Sequence, residues 1–369
     1  LDTRVSRAAV AVRPKTTELR EFALPELPED AGLLRVEATG ICGSDWGMYL
    51  NEKPGPRILG HEMVGIVEAV GPAAAARWGV VPGDRIALEE YLPCGHCEFC
   101  RSGEFRSCWE TDTRVAGSIR YGSTPIDRAP ALWGGYSQFA YMHPRSVIHR
   151  VPEGVPSHVL SMALPIGNGF QWAFLDGGVG PGKTIVIQGP GQQGLGSVIA
   201  SSVAGAETIV MVGLAKDADR LAVAQKLGAT HVVRADEEEL GAAVKRITDG
   251  RMADIVVDAT GAGPAIVNPS IGLLRKRGVL VIASRKGLPV FGFDIDQLVN
   301  KQIVLRGTRG HSYEAVELAL GVMKGGRFPL DLMSSHVVGL ADVDHALRMV
   351  GGDTEERCIH VTVAPWMEA

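Results

Sequence analysis

The sequence predicts an α/β chain in which a doubly wound parallel-sheet domain is inserted into a β-rich domain, and three observations predict it. First, 369 residues exceed the length at which a single hydrophobic core keeps growing, so two domains are expected. Second, the first 165 residues are filled with short β-type runs bounded by Gly, Pro and Asp. Leu33–Glu37, Met63–Val70, Arg85–Leu88 and Ser137–Met142 are examples. Third, the texture changes near residue 181. Thr184–Gln188 is a short apolar strand, a glycine-rich turn and a helical stretch to about Ala204 follow, and Thr208–Val212 is the next strand. Asp217–Leu227 then has helical periodicity. Ala253–Thr260, a stretch near Pro264–Arg275, Gly278–Ala283 and Ile303–Arg306 continue the alternation. Strands alternating with helices of this length build a parallel sheet covered on both faces. The expected division is a β-rich domain over 1–165 and 311–369, with the doubly wound domain over 166–310 inserted between.

Composition excludes several classes of function. Hydrophobic residues at 46% and charged residues at 21% are ordinary for a globular protein. A net charge of −5 offers no electrostatic footprint for nucleic acid or an anionic membrane. Leu1–Arg20 carries charges throughout and lacks the apolar core of a signal peptide. The most membrane-like stretch, Ser197–Ala215, contains Glu207 and reads as a helix end, a turn and a buried strand. A cytoplasmic location is expected.

Four of the six cysteines, Cys94, Cys97, Cys100 and Cys108, form a C-x2-C-x2-C-x7-C run. Disulfide frameworks belong to short, cysteine-dense secreted chains. Four thiolates at this spacing instead suit a closed, tetrahedral structural zinc site. Pro93, Gly95 and Gly103 supply the tight turns that fold the backbone round an ion. His96 lies inside the loop, where the thiolate shell is already complete. Cys358 reads as a buried apolar residue.

The turn Gly189-Pro190-Gly191-Gln192-Gln193-Gly194 follows the strand Thr184–Gln188 and opens a helix, the context a dinucleotide-binding G-x-G-x-x-G requires. Gly189 permits the turn, Gly191 admits a pyrophosphate, and Gly194 allows close helix–strand packing. The helix N-terminus, with Gln192 and Gln193, offers N–H groups and a positive dipole end to phosphate. In NAD-binding relatives of this fold an acidic residue ends the second strand, whereas Gly213 stands there here. Lys216 or Arg220 could accept the 2′-phosphate of NADP, while Asp217 or Asp219 could reach the ribose hydroxyls of NAD. The reading is NAD(P), leaning to NADP.

Two further motifs precede the cysteine run, Gly40-Ile41-Cys42-Gly43-Ser44-Asp45 and Gly60-His61-Glu62-x2-Gly65-x5-Gly71. With the cysteine tetrad, Gly83-Asp84-Arg85 and the glycine-rich turn in this order, the whole chain resembles the zinc-dependent medium-chain alcohol and polyol dehydrogenases. The resemblance implies a GroES-like catalytic domain carrying an inserted Rossmann domain, and two zinc ions per chain. It implies that Cys42, His61 and Glu62 hold a catalytic zinc with one open position, where an alcohol loses its proton more readily. By the same resemblance Ser44 receives that proton, and Asp45 fixes the tautomer of His61. Hydride then passes between the substrate carbon and the nicotinamide, interconverting a secondary alcohol or polyol with its ketone or aldehyde.

The chain departs from that family in two places. Many relatives carry a further Cys, Asp or Glu where Leu164 stands, in Ala163-Leu164-Pro165, so the third ligand falls to Glu62. Many also carry a histidine of the proton relay where Gly47 stands, so the proton must leave by water or another group. Two alternatives follow: a zinc-free reductase of activated double bonds, or a non-catalytic nucleotide-binding relative. Trp46, Tyr49, Trp133 and Phe170 are candidates for an apolar pocket or for core, and Arg114, Arg120 and Arg128 for an acidic substrate or a solvated loop. The family's habit makes a homodimer or homotetramer the expectation.

Overall fold

The structure is a computed structural model that describes residues 4–53, 55–112 and 117–368. It separates into two compact units, one comprising the chain up to Leu164 with Met323–Gly325 and Met333 onward, the other comprising Pro165–Val322 and Gly326–Leu332.

The first unit is β-rich. Its larger sheet has seven strands, running from Ser334–Val338 through His360–Val363, Gly32–Gly40, Glu62–Val70 and Arg85–Leu88 to Ile148–Arg150, with Phe139–Met142 also paired to Gly32–Gly40. A three-stranded sheet joins Thr16–Ala23, Val5–Arg13 and Arg57–Ile58. The central strand Gly32–Gly40 is buried along most of its length, with Leu33, Leu34 and Val36 in the core. Its partner Glu62–Val70 pairs antiparallel in a register that sets Gly40 opposite Glu62. That register brings the end of one strand and the start of the next to a single place, and both predicted motifs lie there.

The second unit is a doubly wound sheet. Its strands are β1 (Thr184–Gln188), β2 (Thr208–Gly213), β3 (His231–Arg234), β4 (Ala253–Asp258), β5 (Leu274–Ile282) and β6 (Val304–Gly307). They lie in the spatial order β3-β2-β1-β4-β5-β6, with every neighbouring pair parallel. This order reverses direction beside β1, where open α/β sheets form a ligand crevice at the strands' carboxyl ends. Val186, Val210 and Val256, from the three central strands, are fully buried, as a sheet covered on both faces demands. The glycine-rich turn leads from β1 into helix α1 (Gln192–Val203).

The fold class is that predicted, and the strand cores match closely. One strand of this sheet escaped, β3, whose sequence His231-Val232-Val233-Arg234 has only two apolar residues and lies at the sheet edge, as did the helices Leu240–Ile247 and Ile295–Lys301. The second junction also differs from the expected residue 311. Helix α2 (Tyr313–Gly325) falls largely in the second unit. It buries Ala315, Val316, Ala319 and Leu320, and Val316 packs against Gly167, whose added Cβ would lie 3.0 Å from Val316 Cγ2. No helix among the described residues is long and apolar enough to cross a membrane.

Candidate active site

Cys42 is the residue before the short helix Gly43–Tyr49, and His61 immediately precedes the strand Glu62–Val70. Gly60 makes the placement possible. It has φ +86, and a Cβ there would stand 2.5 Å from the Tyr136 ring, so only glycine fits on both counts. The Cys42, His61 and Glu62 donor atoms all lie within 4.8 Å of one another, and all three residues are buried.

Asp45 lies beside the imidazole. It is wholly buried and its carboxylate accepts hydrogen bonds from the Cys42 N–H at 2.9 Å and the Tyr136 hydroxyl at 2.9 Å. A longer bond comes from the Gly60 N–H at 3.4 Å. Its Oδ1 lies 3.2 Å from His61 Nδ1. A carboxylate this close to Nδ1 favours a proton there, which would leave Nε2 as the nitrogen available to a metal. Nε2 in turn lies 3.4 Å from the Ser44 hydroxyl and 3.5 Å from Glu90 Oε2.

The electrostatics suit a cation. Burial pushes the Cys42 thiol up, and the neighbouring Glu62 adds to the effect. Burial likewise pushes Glu62 up to about 8, against the pull of His61. Burial opposes the charged form of His61, but Asp45 and Glu90 outweigh it and raise its pKa. Crowded, desolvated acids beside an imidazole are relieved by a divalent ion, which favours the deprotonated thiol and carboxyl. The residues present fit a zinc ion: one soft thiolate, one imidazole and one carboxylate.

The second cluster fits zinc more completely. Cys94, Cys97, Cys100 and Cys108 place their sulfurs within 4.8 Å of one another. The sulfur separations are 3.8 Å for Cys94–Cys100 and 3.4 Å for Cys97–Cys100. Four sulfurs at about 2.3 Å from one tetrahedral zinc would stand about 3.8 Å apart. The loop backbone supports them, with N–H groups of Cys97 and Cys94 pointing at the sulfurs of Cys94 and Cys108 at 3.4 and 3.3 Å. The His96 backbone N–H, with that of Cys97, lowers Cys94 to about 6, toward the thiolate a metal requires. His96 points its Nδ1 at the Cys94 carbonyl, 3.0 Å away, and is exposed.

In the second unit the glycine-rich turn has the expected form. Gly189 adopts φ +100 and a Cβ on Gly194 would collide with its carbonyl oxygen. A Cβ on Gly191 would meet nothing within 4 Å, and no side chain caps α1 at that residue. Backbone, space and helix end together suit a pyrophosphate. Gln192 and Gln193 form the first turn of α1. Gly213 ends β2 and abuts the turn, since its added Cβ would lie 3.0 Å from Pro190 Cγ. Asp217 folds back to accept the Leu214 N–H at 3.0 Å and pairs with Arg220 at 3.4 Å, while Lys216 lies in the turn Ala215–Asp217.

Several residues take other places than a pocket. Tyr49, Trp133 and Phe170 are buried in the cores. Trp133 lies in a cluster with Tyr121 and Tyr141, and the Trp46 ring packs over Gly351. Arg114 lies outside the described residues, and Arg128 bonds the Gly117 carbonyl at 3.1 Å. Leu164 is buried and offers no donor. Gly47 is not sterically required, because a Cβ there would meet nothing within 4 Å. Sequence reasoning missed Glu90 and Tyr136 at the site, and left Arg120 without a partner. A signal existed for Glu90, since Glu89-Glu90 interrupts the apolar run Ile86-Ala87-Leu88 and Tyr91-Leu92, and adjacent buried acids need partners.

The family profile described as alcohol dehydrogenase GroES-like domain matches residues 28–153, and that described as zinc-binding dehydrogenase matches residues 194–324. The chain is 36% identical over 359 residues to a probable alcohol dehydrogenase of Mycobacterium tuberculosis, covering 96% of each. It is 31% identical over 290 residues to a sorbitol dehydrogenase of Bacillus subtilis, covering 77% of this chain and 75% of that one. Among solved structures, an alcohol dehydrogenase of Thermotoga maritima superimposes with a TM-score of 0.84 at 26% identity, covering 98% of this chain and all of that one (100%).

Proposed function

The chain belongs to the zinc-type medium-chain dehydrogenase/reductase superfamily, and from that premise we propose that it interconverts a secondary alcohol or polyol with the corresponding ketone or aldehyde, using NAD(P). The observation that carries the reading is the convergence of Cys42, His61 and Glu62 on one buried point. The similarity to a sorbitol dehydrogenase supports a polyol among the substrates.

Zinc held by these three residues would supply Lewis-acid polarisation of the reacting oxygen. The nicotinamide would accept or return the hydride. Ser44 stands beside Nε2 of His61, and its hydroxyl, both donor and acceptor, takes the proton of the substrate hydroxyl. Asp45 holds the imidazole in one tautomer and keeps Nε2 turned toward the reacting group. Gly47 supplies no imidazole to continue the relay, so the proton passes from Ser44 to water. NADP is the proposed cofactor: β2 ends on Gly213 instead of an acid, and Lys216 and Arg220 follow it.

The chain is further proposed to act as a cytoplasmic homodimer or homotetramer. None of the six cysteines is joined in a disulfide, which suits a reducing compartment. The edge strand β6 is exposed at all four residues and presents Val304 and Leu305, a template for pairing with a second copy.

Metal analysis and turnover of an alcohol panel with NAD and with NADP, before and after chelation, test the reading. About two zinc ions per chain and chelator-sensitive turnover with NADP are expected. A single zinc, retained in Cys42→Ala, would overturn the assignment of the catalytic metal, and a strong preference for NAD would overturn that of the cofactor.

A further inference from the structure

We propose that Glu90 and Arg120 select the substrate: an uncharged alcohol bearing a second hydroxyl on the carbon next to the reacting one. The inference rests on the oxidoreductase reading of the Cys42, His61 and Glu62 site.

Glu90 has a side chain only 8% exposed, and its Oε2 lies 3.5 Å from Nε2 of His61. Nδ1 of that ring lies beside Asp45, whereas Nε2 lies beside both Ser44 and Glu90. Glu90 lies outside the group of three whose donor atoms are mutually close. It therefore borders the coordination space instead of filling it. That is the position from which a side chain can reach a substituent next to the reacting oxygen.

Arg120 completes the feature. It forms an ion pair with Glu90 Oε2, and its side chain is 23% exposed. Its guanidinium stacks on the Tyr91 ring at 4.8 Å. Burial works against the charge of Arg120, but Glu90 outweighs it and raises the pKa. The backbone is fixed as well: Tyr121 N–H donates to the Glu90 carbonyl at 3.1 Å, and Arg120 N–H donates to Thr124 Oγ1 at 2.9 Å. The same loop is packed on the metal-binding ring, for a Cβ on Gly122 would stand 3.2 Å from His61 Nδ1. The pair is thus held in place before any substrate arrives, which is what discrimination by hydrogen bonding needs.

Chemistry and charge then define the ligand. A carboxylate only accepts and a guanidinium only donates. Side by side they suit a hydroxyl, which does both, whereas an alkyl group offers neither. Charge disfavours an acid in the same position. Asp45, Glu62 and Glu90 crowd this space and only one guanidinium faces them, so acidic groups are in excess. A carboxylate or phosphate substituent would meet that excess in a desolvated site, where like charges repel strongly.

Three molecules with the same three-carbon skeleton test this on the zinc-loaded protein with cofactor: 2-propanol, 1,2-propanediol and lactate, each reacting at its second carbon. The diol is expected to exceed 2-propanol in kcat/KM by about tenfold to a hundredfold, the worth of one hydrogen bond to a charged group, with lactate below the diol. Glu90→Gln is expected to bring the ratio of diol to 2-propanol to within about threefold and to raise lactate relative to the diol. Arg120→Lys, which keeps the charge and loses the stacked fork, should reduce the ratio by less. Equal or better use of 2-propanol, a preference for lactate, or an unchanged ratio in Glu90→Gln would overturn the proposal. Cobalt(II) exchanged into the Cys42 site separates its failure from that of the underlying reading. A cobalt–thiolate band abolished by Cys42→Ala upholds the metal site. Equal dissociation constants for all three molecules, read from the cobalt d–d bands, would then remove the Glu90–Arg120 assignment alone. Failure of cobalt to enter would remove both.

Discussion

The two metal-binding clusters are built in opposite ways. The Cys94–Cys108 lobe draws its ligands from one loop, and that loop's own N–H groups point at the sulfurs. Three of its four cysteines are only half-buried. The Cys42, His61 and Glu62 site draws on a helix start and a strand start that meet through sheet register. Its supports come from further away: Tyr136 holds Asp45, and Arg120 holds Glu90. One cluster is a local property of the chain, and the other exists only when a whole unit is folded. The first therefore resists distant changes, while the second can be altered by residues that touch no metal.

The sharpest test of that contrast removes a ligand from the loop. Cys97→Ser should lose about one zinc per chain and open residues 94–108 to proteolysis, since structural zinc contributes about 10–16 kcal/mol of apparent binding energy. The contrast breaks if the same variant also empties the other site. Cys42→Ala should do the reverse, lowering kcat/KM by about a thousandfold or more, the several kcal/mol ascribed to a Lewis acid. The melting temperature should hardly move. Loss of the loop zinc in that variant would show that the clusters are coupled.

Acid should reach the long-range site first. His360 is buried, its Nε2 lies 3.0 Å from the Ser161 hydroxyl, and a Cβ on Gly40 would stand 2.6 Å from its Cε1. Burial, with nearby His158, lowers its pKa to about 3. A histidine held neutral in the fold binds its proton more readily when unfolded, so stability is full above about pH 6.5 and falls as pH drops toward 3. Denaturant midpoints should show about 3 kcal/mol lost between pH 7.5 and 4.5 from this group. His360→Gln should flatten that slope, and an unchanged slope would reject the assignment. A smaller effect is expected from Asp45→Asn, which weakens the acceptor facing His61 and should lower metal affinity about 10–100-fold, read by competition with a chelator. Smallest of all, Gly47→Ala should stabilise the helix Gly43–Tyr49 by up to about 1 kcal/mol, because the added Cβ has open space. Destabilisation there would mean that Gly47 is needed for more than its size.

The features legible in the sequence were those carried by neighbours along the chain. Cysteine spacing described the four-thiol loop, strand–turn–glycine context located the glycine-rich turn, and apolar runs marked the central strands to within a few residues. The resemblance borne by Cys42, His61 and Glu62 grouped residues that no local spacing joins, and the fold brings them together. The rest depended on contacts across long separations. Glu90 finds Arg120 across a loop, and Asp45 finds Tyr136 from another strand region.

Periodicity and spacing survive any folding of the chain, because they depend on what one residue does beside the next. They determined the two-domain class, the order of the central strands along the chain and the thiolate tetrad. Tertiary structure alone decided that β3 joins the sheet despite two charged or polar ends, and that α2 packs chiefly with the second unit. It also decided that Asp45 lies beside Nδ1 of His61 and Glu90 beside Nε2. Those outcomes depend on burial and register, which one-dimensional order constrains but does not display.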